Sequence, residues 1–342
     1  MPAILHLYPA LLSVLALGAI AGGGAWPLVL LAWLFYGQAL LEVALGNRFP
    51  PRDSAPAAEG RPLTAMLLLT LPLQIGILAF GLWRLTQQPA SWMDLAGITV
   101  LMGVTSGSFG ITVAHELVHR RAAWQRGVGL ALLLLAHIPH FRIEHVHNHH
   151  AHVGTPKDPA TARLGESLYA FFPRSVAGQY LSAWRIEGER LRRRGRRILG
   201  PGNRMLIYLL AQAVLDLAVL LAFGWVGLAL FVAQGLVAVW LLETVNYVEH
   251  YGLARRPLPQ GGFEPLSGRH SWNAGHAPTN AALFNLGLHS AHHLEAARPY
   301  PALYNRPDLP QLPAGYAGAV LLAMLPPLWR RVMDPRVRAA LA

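Results

Sequence analysis

With 342 residues, 54% of them hydrophobic and only 13% charged, the chain has a membrane composition; a soluble domain carries roughly a quarter charged residues. The formal charge of +11 comes from arginines crowded into loops between apolar runs, the pattern that sets membrane topology. This excludes nucleic acid as a partner and makes membrane lipid the expected surroundings, while the absence of cysteine excludes a disulfide, a thiolate zinc site and a cysteine-held iron–sulfur cluster.

In chain order, six apolar runs approach the roughly 20 residues needed to cross a bilayer: 4–20, 26–45, 63–83, 95–114, 205–223 and 226–248. The first is short and carries Pro9. It lacks a basic leader and a small-residue cleavage site, so it reads as a retained span and not a signal peptide. The third and fourth contain no charged residue. The last two are separated only by Gly224 and Trp225, which predicts a helical hairpin. Val128–Ile138 is too short to span and reads as a re-entrant or interfacial helix. The expectation is an all-α integral membrane protein, a single membrane domain of six transmembrane helices, with long segments at 115–204 and 249–342.

The loops carry a second signal. Arg48, Arg52 and Arg61 follow the second run. Arg185, Arg190, Arg192, Arg193, Arg194, Arg196 and Arg197 follow the fourth. Arg255, Arg256, Arg269 and Arg298 follow the sixth. The links after runs one, three and five hold one basic residue, Arg84. The positive-inside rule then places every even exit and both termini in the cytoplasm. Three carboxylates fall within the runs, Glu42, Asp216 and Glu243; at membrane depth such groups serve a function, sit at the interface or are paired locally.

Fifteen of the sixteen histidines fall into four groups, each at or beyond the end of an apolar run. The first is His115 and His119. The second is His145, His147, His149 and His150, with His137 and His140 before it and His152 after. Then come His250, His270 and His276, and last His289, His292 and His293. Imidazole is the commonest neutral metal ligand. Spacings of three and four place His115 with His119, His145 with His149 (His150 adjoining), and His289 with His292 and His293 on shared helix faces. Eight such imidazoles exceed the four that one zinc takes and imply two metal ions. His6, His137, His140 and His152 read as surface or interfacial residues. His115-Glu116-Leu-Val-His119 also matches the zinc-protease pattern, a rival that leaves the other histidines idle. A metal transporter is a third class; it wants polar residues within several spans, and these runs offer few. Without cysteine, electrons for a redox metal must come from a separate protein.

These residues resemble the integral-membrane alkane hydroxylases, the alkane 1-monooxygenases, within the wider desaturase-like di-iron superfamily. His115–Arg120 resembles the family's first histidine box. Glu144–Asp158, running into Pro159-Ala160, resembles its second box and the words after it. Asn246-Tyr-Val-Glu-His-Tyr-Gly-Leu253 resembles its most discriminating signature, and His270-Ser-Trp-Asn273 with His276 the segment before the last box. The resemblance covers about residues 60–300. Two places depart from the pattern. Asn148 stands where glycine is usual, and Gly287, Leu288 and Ala291 replace glutamine, arginine and aspartate around the last box.

The resemblance implies two non-haem iron ions, O2 as co-substrate, and iron ligands at His115, His119, His145, His149, His150, His289, His292 and His293, with His250 as the ninth. His147 and His276 are weaker candidates. Glu116, Glu144, Asp158 and Glu249 are candidate acceptors for imidazole N–H groups. The implied reaction hydroxylates an alkane or similar apolar hydrocarbon in a bacterial-type inner membrane, with a rubredoxin or ferredoxin and its reductase supplying electrons. A lipid desaturase is the alternative within the same superfamily. Spans two to four and six are expected to line the substrate channel, with Trp33, Phe35, Phe80, Trp83, Phe109 and Trp240 as its aromatic candidates. The arginines of 185–197 are expected either to steer an acidic donor or to hold topology and anionic lipid.

Overall fold

The structure is a computed structural model that describes residues 5, 7–47 and 61–342, with the backbone alone for 61–63. His6, Arg48 and Arg52 lie outside the described residues. Among the described residues the chain is helical, with isolated β-bridges and no strand.

Helix α1, Tyr8–Gly22, carries Pro9 in its first turn, where a missing N–H costs nothing. Gly23 and Gly24 follow at φ 60° and 56°, values open to glycine, and turn the chain at once into α2, Trp26–Leu45. That turn is pinned from a distance: the Gly24 N–H donates to Asp94 Oδ1 at 2.7 Å. Asp94 and Ser91 form the capping box that starts α4 (Trp92–Val118), after α3 (Arg61–Gln87). The short apolar run forms α5, Ala123–Leu135. It folds back against residues 112–118 and, at 13 residues, is too short to cross a bilayer. Helix α6 covers 141–152 as Phe141–Glu144, a π-helical turn at His145–His149, and His150–His152.

Helix α7, Leu168–Arg193, leads to α8, Arg204–His250, whose first N–H groups are capped by Asn203. Gly224, at φ 70° and ψ −173°, breaks α8 into the segments 204–223 and 225–250, at the link where the sequence predicts a turn. Short helices α9 (Ala277–Ala282), α10 (His289–Leu294) and α11 (Tyr316–Ala323) and the longer α12 (Pro326–Leu341) complete the chain. Among the described residues, four stretches are long and apolar enough to cross a membrane: Trp26–Leu45, Thr64–Gln87, Trp92–Val118 and Arg204–His250. Helix α1, at 15 residues, falls short of that length.

Helix α4 is the hub. Gly103 and Gly107, four apart, let it approach the second half of α8 so closely that a Cβ at 103 would lie 2.7 Å from the Gln234 carbonyl oxygen. A buried polar chain ties the layers together: Gln74 of α3 donates to Ser106 at 2.8 Å, Ser106 to Gln234 at 2.8 Å, and Gln234 to the carbonyl of Leu135 at 2.8 Å. The carboxylates within the runs are also engaged. Glu42 accepts from Thr279, Glu243 from Gln179, and Asp216 from Gln212, with His137 3.3 Å away. Helix α12 buries Trp329 against Tyr247 and Tyr251, which fixes the end of α8 three residues before His250 and at the residue after it.

Candidate metal centre

Nine histidines converge in two adjoining groups. His115, His119, His145, His150 and His292 form one; His149, His250, His289 and His293 form the other. Within each group the ligand nitrogens all lie within 4.8 Å of one another. Three helix ends and the carboxyl end of α8 supply them. Helix α4 brings His115, with His119 at its C-terminal boundary. The π turn of α6 and the residue after it bring His145, His149 and His150, and α10 brings the last three.

The local backbone decides which imidazole joins which group. In the π turn the His150 N–H bonds to the His145 carbonyl, one residue further than in an α-helix. His145 and His150, five apart, therefore share a face, and their Nε2 atoms are 3.0 Å apart. His149 turns to the other group. The α-helical spacing that pairs His145 with His149 in the sequence is corrected by this turn. In α10 the regular i, i+4 relation holds: His289 and His293 share a group with Nε2 atoms 3.0 Å apart, while His292 reaches His150 at 3.2 Å.

The donor set fits a pair of metal ions. His150 Nε2 faces two other Nε2 atoms, those of His145 and His292. His289 Nε2 likewise faces those of His250 at 3.1 Å and His293 at 3.0 Å. A neutral imidazole nitrogen carries either one hydrogen or one lone pair, so it cannot satisfy two such neighbours at once. His115 Nε2 and His119 Nε2 are buried with no hydrogen-bond partner among the described residues. A cation at the centre of each group answers all these lone pairs. With metal–nitrogen bonds of about 2.1 Å, adjacent nitrogens stand about 3.0–3.4 Å apart.

Protonation and orientation agree with this. Burial, reinforced by neighbouring imidazoles, holds His145, His289, His292 and His293 well below the usual imidazole range, so they are neutral at neutral pH, the form that can bind a metal. His149 differs. Burial pulls it down, but the carboxylates of Asp158, Glu144 and Glu249 outweigh burial and raise it. Its Nδ1 lies 3.0 Å from Asp158 Oδ2, leaving Nε2 for the metal side. Asp158 is held in turn by the Thr161 hydroxyl at 2.6 Å and the Ala160 N–H at 3.1 Å. Glu249 lies 3.2 Å from His289 Nδ1 and accepts the Tyr316 hydroxyl at 2.7 Å. The carbonyl of His270 stands 3.3 Å from His250 Nδ1.

The other expected residues fall elsewhere. Glu144 accepts from Asn148 at 2.7 Å, not from a ring nitrogen of the cluster, and burial beside Asp158 raises it to about 8. Glu116 pairs with Arg120 at 2.7 Å and accepts from the Tyr300 N–H. The general base that a zinc protease needs is thus engaged away from the metal, and His115 and His119 share their group with three further imidazoles. His147 is exposed, and His276 is buried beside Asn47, outside both groups. His137 faces Asp216, His140 packs edge-on to Tyr180, and His152 bonds the Asn148 carbonyl.

An apolar cavity reaches the cluster, with His115, His145 and His289 in its lining. Helix α2 lines it with Leu34 and Phe35, α4 with Val104 and Phe109, and the second half of α8 with Leu241 and Leu242. Helices α9 and α11 complete the wall and α3 is absent from it, which corrects the expected lining. Of the aromatic candidates, Phe35 and Phe109 face the cavity; Trp33 and Trp83 are exposed, Phe80 stacks on Trp83, and Trp240 packs on Phe172.

Comparison with known proteins agrees with the site. Residues 90–317 match the fatty acid desaturase family model. Alkane 1-monooxygenase 2 of Pseudomonas aeruginosa is 40% identical over 322 residues, covering 92% of this chain and 85% of that protein. Alkane 1-monooxygenase 1 of the same organism is 42% identical over 320 residues, 92% and 84% of the two chains. The chain belongs to the alkane 1-monooxygenase family. It is accordingly an oxidoreductase. The xylene/toluene monooxygenase hydroxylase component of Pseudomonas putida is also similar, at 30% identity over 323 residues, 92% of this chain and 84% of that protein.

Within this alkane 1-monooxygenase family member, the unusual residues of the last box are tightly packed. A Cβ at Gly287 would meet the Ala274 carbonyl oxygen at 2.5 Å, and Leu288 and Ala291 are buried in the apolar core. Sequence reasoning missed Tyr316 and the way Asn273 clamps α10. Asn273 accepts the Ser290 N–H at 3.0 Å and donates to the Ser290 hydroxyl at 2.7 Å. The signature around Asn273 was the available signal for that clamp; Tyr316 carried none, since it lies far along the chain from any histidine.

Proposed function

We propose that the protein is a membrane-bound non-haem di-iron monooxygenase that hydroxylates an alkane or a similar apolar hydrocarbon with O2. The single observation that carries the reading is the apolar cavity with His115, His145 and His289 in its lining, which joins both histidine groups to a space fit for a hydrocarbon chain. The nine imidazoles of the two groups are its iron ligands. Iron, when bound, supplies the O2 chemistry that an unactivated C–H bond requires, with one oxygen entering the product and the other leaving as water.

The protein's own residues do the rest. Leu241, Leu242 and Phe109 hold the chain by apolar contact and keep bulk water from the reacting carbon. Asp158 holds the Nδ1 proton outward on His149, and Glu249 places a carboxylate 3.2 Å from Nδ1 of His289, so that Nε2 lone pairs face the metals. Because the chain has no cysteine, the electrons come from a separate iron–sulfur protein, a rubredoxin or ferredoxin with its reductase.

The six-span arrangement belongs to this reading. Helices α1 to α4 and the two halves of α8 are the spans. The basic loops after the even spans put the metal centre and both termini in the cytoplasm of a bacterial-type inner membrane. The test is incubation of the iron-loaded, reduced protein with a hydrocarbon panel under ¹⁸O₂. An alcohol carrying the label is expected. An unlabelled alkene would turn the reading toward a desaturase, and no O2 consumption with any substrate would end it.

A further inference from the structure

An open basic bowl lies on the surface between α6, α7 and the start of α8, with about 680 Å³ of unfilled space. Arg190, Arg193 and Arg194 of α7, Arg204 of α8 and His147 of α6 line it. Its floor is organised. Glu187, fully buried, accepts from Arg190 Nε at 2.8 Å, and from both the backbone N–H and Nε of Arg204 at 2.7 and 2.8 Å. Arg190 also donates to the Gly202 carbonyl at 2.7 Å. One carboxylate thus fixes two guanidinium groups. Arg193, with an 83% exposed side chain, is only 4.0 Å from Glu189, the second carboxylate of the bowl. Four arginines against Glu187 and Glu189 leave two positive charges in excess.

The bowl continues into an apolar stripe. Arg204 is the first residue of α8, and Ile207, Leu210, Val214, Leu217 and Leu221 line an adjoining face of that helix at helical spacing. All five are exposed, by 49% to 79%. Leu199, just before the helix, is 80% exposed. An anion-binding head above a lipid-length apolar track matches one class of molecule. Free phosphate would have no use for the stripe, and an acidic protein surface would not follow it down the helix.

We infer that this bowl binds the phosphate headgroup of an anionic phospholipid whose acyl chains lie along the exposed face of residues 207–221. Guanidinium forks suit phosphate oxygens, and basic pockets at the cytoplasmic ends of membrane helices recognise such headgroups. The bound headgroup rests against His147, whose neighbours on the same turn include His145 and His149. The inference rests on the membrane arrangement above but not on the metal chemistry, because lipid retention is measured without iron or turnover.

The test is native mass spectrometry of the full chain released from bilayers containing equal phosphatidylglycerol and phosphatidylcholine of the same chain length. One phosphatidylglycerol per chain is expected to stay bound, at least about tenfold in preference to phosphatidylcholine. The double variant Arg193→Gln with Arg194→Gln alters two side chains that the buried Glu187 network does not hold. It is expected to lower retention about thirtyfold with the thermal midpoint unchanged. Excess inorganic phosphate is expected to leave the lipid in place. Equal retention of the two lipids, full retention by the double variant, displacement by inorganic phosphate, or a bowl that binds an acidic protein and no lipid would each overturn the assignment.

Discussion

Asp158 is the residue through which the protein orients His149. Its carboxylate accepts the ring N–H, the Thr161 hydroxyl and a backbone amide, so it is itself held in place. Glu249, fixed by Tyr316, lies 3.2 Å from His289 Nδ1. Removing such an outer partner typically costs 10- to 100-fold in metal affinity. Asp158→Asn and Glu249→Gln are each expected to weaken iron binding by about that factor, read by chelator competition on the purified protein. Iron affinity equal to wild type in both would remove these carboxylates from the centre. By contrast, His150→Ala and His292→Ala each delete an imidazole of the five-histidine group, a proposed iron ligand, and turnover is expected to fall below detection.

A second residue carries a pH prediction. Burial pushes Glu187 up, yet its bonds to Arg190 and Arg204 outweigh burial and bring its value down to about 2. The ordinary glutamate value is about 4.3. A group lowered by folding contributes stability that is present above the ordinary value and lost as the pH falls toward the folded one. The thermal midpoint is therefore expected to be flat with respect to this group from pH 8 to 5 and to fall as acid is added below that. Glu187→Gln is expected to lower the midpoint at neutral pH and to flatten the acid limb. An acid limb as steep as wild type in that variant would assign the effect to another carboxylate.

At the scale of elements, the packing of α4 on α8 makes the sharpest claim. The Cβ of an alanine at 103 would stand 2.4 Å from Val237 Cβ and 2.7 Å from a backbone carbonyl, neither of which is the movable end of a side chain. Overpacking of this kind costs about 1–3 kcal/mol, so Gly103→Ala is expected to lower the thermal midpoint by several degrees, measured in one detergent beside wild type. Gly76→Ala, at a position where an added Cβ meets nothing within 4 Å, is the control. How far the elements were legible in the sequence follows the same logic. Long apolar runs announce helices because the bilayer admits little else, and α2, α3, α4 and both halves of α8 lie where those runs fall. The π turn at 145–149 was not legible, since His-x-x-x-His spacing is the same text in either helix type. Only the backbone shows that His145 pairs with His150 and that His149 belongs across the gap. Nor were α9 and α11, whose few turns have no period long enough to stand out.

For the whole molecule, two independent surface patterns describe one orientation. Arginines gather beyond the carboxyl ends of α4 and α8. Trp26, Trp92 and Trp225 stand at the opposite ends, at the start of α2, of α4 and of the second half of α8, and are 62%, 87% and 75% exposed. Tryptophan collects at the bilayer interface and arginine on the cytoplasmic side, so the two belts support the orientation proposed above. The histidine cluster lies at the arginine end, because His115 and His250 close α4 and α8 there. Sidedness can be measured directly, since a chain without cysteine has no background reaction with thiol reagents. Single Trp92→Cys and Trp225→Cys variants are expected to react with a membrane-impermeant maleimide applied outside the inner membrane, in spheroplasts. Arg193→Cys is expected to react only once the membrane is opened. A reversed pattern would invert the molecule and place the metal centre outside. Reaction of Trp225→Cys and Arg193→Cys from the same side would mean that residues 204–223 do not cross, which would leave five spans at most and strand His250 across the bilayer from His115, a separation that the joined histidine groups do not allow.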